Sequence, residues 1–72
     1  MTEIEKLQHI RARLVSARRQ FTEGALKAPA NTRFPAEGLS RIQAEIDAVD
    51  RALTDEAAVE DGAPIETGAI HA

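Results

Sequence analysis

His9 lies one turn beyond Glu5, a spacing at which a carboxylate and an imidazole on one helix face can share a proton or form half of a metal site. No second ligand completes that half. There is no cysteine, and the other histidine, His71, is far along the chain. Glu45, Asp47 and Asp50, with Asp55 and Glu56 beyond them, offer paired carboxylates for acid–base work or a cation. Arg41 and Arg51 are interleaved with them, and the Glu-x-x-His repeat that builds carboxylate metal sites in helical bundles is missing. Glu37 with Arg41, and Asp47 with Arg51, read instead as acid-to-base pairs four residues apart on a solvated helix. Ser16 and Ser40 have no base at helical spacing, and no glycine-rich loop precedes either to cradle a phosphate. The residues predict no enzyme, no metal, no cofactor and no small-molecule substrate.

The remaining chemistry is charge. Lys6, Arg11, Arg13, Arg18 and Arg19 span one predicted helix, which could lie along phosphates. No aromatic that stacks on a base lies among them, and the chain as a whole carries a net charge of −3. That charge is unevenly divided. Up to Pro35 there are seven bases and three acids; beyond it there are two bases and nine acids. Halves of opposite sign attract each other within one chain or between chains. A protein partner, this chain itself or a larger assembly, is the first expectation. A small regulator touching nucleic acid through the basic face is the second.

The elements that must position these charges are helices. Thr2 followed three residues later by Glu5 is a capping-box pattern, so the first helix starts at Glu3. Leu7, Ile10, Leu14, Ala17 and Phe21 step by three and four residues, with Ile4 and Val15 widening the stripe. Gly24 is the expected C-terminal cap; without it the helix runs on towards Lys27, where Pro29 stops it. Pro35-Ala36-Glu37 reads as a second helix start, with Phe34 placed to staple onto Leu39. Leu39, Ile42, Ile46, Val49 and Leu53 repeat the first stripe's spacing, and Gly62-Ala63-Pro64 ends the pattern. The expected layout is helix 3–25, connector 26–35 and helix 36–60, together a hairpin over 1–61, followed by a flexible tail over 62–72.

With Leu7 and Leu39 as heptad position a, Arg11, Arg18 and Asp50 fall at e, and Lys6, Arg13, Lys27 and Glu45 fall at g. In an antiparallel pair e faces e and g faces g. Matching Leu7 to Leu53, Leu14 to Ile46 and Phe21 to Leu39 then brings Arg11 to Asp50 and Arg13 to Glu45. The predicted fold is therefore all-α, an antiparallel two-helix hairpin with a coiled-coil-like seam. Two helices cannot enclose an apolar stripe on every side, so oligomerisation or docking is expected to complete it. The residues expected to meet a partner are Ile4, Val15, Arg18 and Arg19 on the first helix, and Ile65 and Ile70 in the tail.

The run Pro35-Ala36-Glu37 through Leu39, Ile42, Gln43, Ala44, Glu45, Ile46, Asp47, Ala48, Val49, Asp50, Arg51, Ala52 and Leu53 resembles the helix of small prophage-encoded proteins. It is similar in layout to head-to-tail joining proteins of tailed phages, which pair a short N-terminal helix with such a second helix. The resemblance covers about a quarter of the chain. It implies a structural role in a virion or its assembly. The family's intervening β-hairpin, rich in valine, threonine and aromatics, has no counterpart in Ala28–Pro35. No apolar run reaches bilayer-spanning length, and Thr2, Glu3 and Glu5 open the chain where a secretory leader has bases and then an apolar stretch. A cytoplasmic or virion-associated chain is expected.

Overall fold

The computed structural model describes residues 1–62. They form two helices, α1 (Glu3–Lys27) and α2 (Ala36–Glu60), packed against each other, with no strand among the described residues. This is the all-α hairpin. Its antiparallel sense follows from the bonds that cross it, Arg11 to Asp50 and Arg18 to Gln43, in which one number rises as the other falls.

Thr2 starts α1. Its hydroxyl oxygen accepts from the Glu5 N–H at 3.1 Å, while its own N–H donates to the Glu5 carboxylate at 2.8 Å, so two otherwise unpaired donors are satisfied reciprocally. At the other end the helix passes through Gly24, the expected cap, and continues to Lys27. Pro29 decides the stop: it holds Ala28 in an extended conformation (ψ 155°), and the Ala28 N–H closes the last turn on Gly24 O and Ala25 O. In the connector the Thr32 N–H donates to Pro29 O at 2.8 Å, turning the chain back.

Pro35 is the N-cap of α2 and supplies no side-chain cap; the Gly38 N–H donates to Pro35 O at 3.1 Å. Glu37 places an acid at the positive end of the helix dipole. At the far end the Asp61 N–H bonds Ala57 O, and Gly62 adopts a φ of +87°, which allows its N–H to reach Val59 O. That left-handed turn is one that glycine takes without steric cost. Ile65 and Ile70, together with all but the first residue of the expected tail, lie outside the described residues.

The seam of α2 follows its stripe. Ile46 is buried at 1% exposure, and Leu39, Ile42, Val49 and Leu53 are half-buried around it. The seam of α1 is turned from the one expected. Leu7, Leu14 and Phe21 are half-buried, but Ile10 is 45% exposed and Ala17 is exposed. Ile4, Arg11, Val15, Arg18 and Ala25 are half-buried instead, so Ile4 and Val15 are not on the outer flank. At 100° per residue the inner face is rotated by roughly 55° from the three-four stripe. In heptad terms α1 turns positions a and e inward and leaves d outside.

At the connector end, the ring of Phe21 lies against the backbone of Gly38 so closely that a Cβ there would sit 2.7 Å from the ring. Phe34 meets the same ring edge-on, with centroids 6.1 Å apart at 77°. A missing side chain on α2 thus seats the largest side chain of α1.

Candidate functional site

The e side of the hairpin is closed by polar bonds. Arg11 Nε donates to Asp50 Oδ1 at 2.6 Å, and a second guanidinium nitrogen reaches Oδ2 at 3.4 Å. Arg18 donates to the amide oxygen of Gln43 at 2.9 Å, and Gln43 Nε2 donates to Asp47 at 3.0 Å. All four cross-helix partners are at e, one heptad apart on each helix. The Arg11 hydrogen bond holds the Asp50 carboxyl below its ordinary pKa, and Asp50 in turn raises that of Arg11. Both side chains remain more than two-fifths exposed, so the contact is a surface pair that fixes orientation.

The g side is open. Arg13 and Glu45, matched by the heptads, are both exposed and make no ion pair; among the described residues the pairs are Arg11–Asp50, Lys6–Glu3 and Lys27–Glu23. The expected Glu37–Arg41 and Asp47–Arg51 pairs are also absent from that set. The rotation of α1 accounts for Arg13: turning e inward carries g outward, away from α2. Ile10 and Ala17 go with it.

The sites considered for catalysis are dispersed. Glu5 is engaged by Thr2, whose backbone N–H lowers its pKa, with the nearby His9 adding a smaller effect in the same direction, and no hydrogen bond joins Glu5 to His9 among the described residues. Ser16 and Ser40 are exposed on different helices. No group of three or more metal-ligating side chains is gathered among the described residues. An open hollow of about 400 Å³ at the connector is lined by Arg33, Phe34, Pro35, Ala36 and Glu37. It offers one cation, one carboxylate and an aromatic edge without the enclosing apolar wall of a ligand pocket.

Several large apolar side chains are exposed. Leu26, in the last turn of α1 beyond Gly24, is 85% exposed; Phe34 is 47% and Val59 39% exposed. No described helix is long and apolar enough to cross a membrane. Of the basic row, Arg11 and Arg18 are committed across the hairpin, while Arg13 and Arg19 point to solvent. Sequence reasoning placed Arg11 on Asp50 through the heptads. It missed Arg18–Gln43, although Gln43 at position e was the available signal. Compared with protein-family models, curated proteins and solved structures, the chain matches none.

Proposed function

We propose that this chain is a non-enzymatic structural or protein-interaction module that works through its helix faces. One observation carries the reading: in two helices of 25 residues each, Ile46 alone is buried. A chain whose core is a single side chain gains its remaining apolar burial from another protein surface, and association then stabilises it by mass action. The likeness of α2 to the tailed-phage joining proteins supports a virion or assembly complex as the setting.

The alternative is a small regulator that binds nucleic acid through α1. Arg11 and Arg18 face inward on α2 acids and amides, which leaves a shorter basic row for phosphates. The test pairs light scattering with circular dichroism on the same size-exclusion fractions through a dilution series. Helicity and mass are expected to fall together. Concentration-independent helicity in a monomer that shifts a DNA duplex at low salt, with the shift lost in Arg19→Glu, would overturn the interaction reading.

A further inference from the structure

We infer that the open d/g face of the hairpin is the docking surface for a second copy of this chain, forming an antiparallel four-helix bundle in which α1 of each copy lies on α2 of the other. This rests on the interaction-module reading and gives it a face and a partner. The bonds at e establish which broad side of the hairpin is closed, so d and g open on the opposite side. On α1 that side carries Ile10, Ala17 and Arg13, all exposed. On α2 it carries Ile42 and Val49, half-buried at the seam's edge, and Glu45, exposed. The face thus has an apolar strip flanked by one base without an ion pair, Arg13, on α1 and one such acid, Glu45, on α2.

Charge chooses the occupant and its orientation. A two-fold axis parallel to the helices lays α1 over the partner's α2, antiparallel to it, with every height along the axis unchanged. The arrangement keeps the register of the hairpin itself, where Arg11 sits level with Asp50 and Arg18 with Gln43. In that register Arg13 falls level with the partner's Ala48, three residues or roughly 4.5 Å from the level of Glu45, an offset that the two long side chains span, and Glu45 stands in the same way to the partner's Arg13. Both charges left single by the rotation of α1 are paired. A two-fold axis across the helices would stack α1 on α1 and bring like rims together, at a cost. Ile10 and Ala17 enter the bundle centre near the partner's Val49 and Ile42, so that on α1 positions a and e serve the hairpin and d serves the dimer. Division of a wide apolar stripe between two neighbours is what a four-helix bundle requires of each helix.

The size is adequate. A helix of 25 residues is about 37 Å long. Two of them side by side present a face of roughly 750 Å², close to the ~800 Å² per partner of a stable interface.

The test uses charge-swapped full-length chains. Arg13→Glu and Glu45→Arg, measured singly by sedimentation equilibrium at low salt, should each weaken the dimer about five- to fifty-fold, because symmetry turns two attractive pairs repulsive. An equimolar mixture of the two variants should form a heterodimer of wild-type affinity, since each rim then meets its opposite. Rescue in the mixture reports contacts between chains, which an Arg13–Glu45 pair within one chain cannot mimic. Circular dichroism on the same samples separates loss of docking from loss of folding. Swaps that leave the dimer unchanged, or a mixture that fails to recover it, overturn this face while the chain remains an associating module. Failure of the wild-type chain to associate at any concentration overturns the second copy as partner.

Discussion

Asp50 is the residue at which the charge pattern becomes a structural bond. The Arg11 guanidinium lowers its pKa, so the pairing favours the folded form wherever the carboxylate is ionised, above the ordinary range near pH 4. The contribution is lost as pH falls below that range and through the lowered folded-state value. Asp50→Asn should therefore unfold at a lower temperature than wild type at pH 7, and the gap should close in acid. Thermal scans at matched ionic strength check this; a gap that stays constant with pH would mean the asparagine disturbs packing and not charge. Glu5 titrates in the same direction through its bonds to Thr2, but it is common to both chains and cancels from the comparison. Single-residue chemistry was legible where it is local or follows heptad position. The capping box was written in Thr2 and Glu5, and Arg11–Asp50 in the matched e positions. Arg13–Glu45 obeyed the same rule and does not form, because g residues meet only when both helices turn their a/d edge inward.

At the scale of the element, the three-four spacing identified two helices and their pairing but could not settle the rotation of α1 about its own axis. Two overlapping stripes exist on that helix, Leu7-Ile10-Leu14-Ala17-Phe21 and Ile4-Leu7-Leu14-Val15-Phe21, and they share Leu7, Leu14 and Phe21. The packing takes the second, which brings in two branched side chains and both cross-bonding arginines. Helix ends were legible to different degrees. Gly62 stops α2 with a positive φ, whereas Gly24 sits inside α1, because Pro29 provides the stop further on. The two helical glycines therefore respond oppositely to a methyl group. Nothing lies within 4 Å of a Cβ on Gly24, so Gly24→Ala should stabilise by about 0.5–1 kcal/mol through helix propensity. Gly38→Ala gains the same propensity but drives a Cβ to 2.7 Å from the Phe21 ring, and should destabilise by about 1–3 kcal/mol. Denaturant melts of both chains, and of Gly38→Ala combined with Phe21→Leu, read this directly. Recovery in the double variant locates the cost in the ring.

For the molecule as a whole, the fold class was legible because amphipathic spacing, capping and two prolines all agree on two helices. The incompleteness of the core was legible too, from a chain with two aromatics and no cysteine. What the sequence did not reveal is how sharply the sides divide, one closed by arginine bonds and the other left open, since that depends on the rotation of a single helix. A virion or assembly setting belongs to the proposed function; the hairpin architecture stands without it.

The connector gives the hairpin a direction in time. Only Ala28–Pro35 separates the helices, with Phe34 inside it and the Phe21 ring and Gly38 just beside it, so the first contact across the seam closes a loop of modest length, on the order of 10–100 ns for ten residues. Each later contact, Arg18–Gln43 and then Arg11–Asp50, encloses a longer stretch but starts from helices already aligned. Folding is therefore expected to run from the closed end outward, and opening to run back from the free end. Amide exchange should accordingly be slowest around Phe21 and Ile42 and quicken in steps towards Leu7 and Leu53; a flat profile would mean that the two helices separate as a single unit.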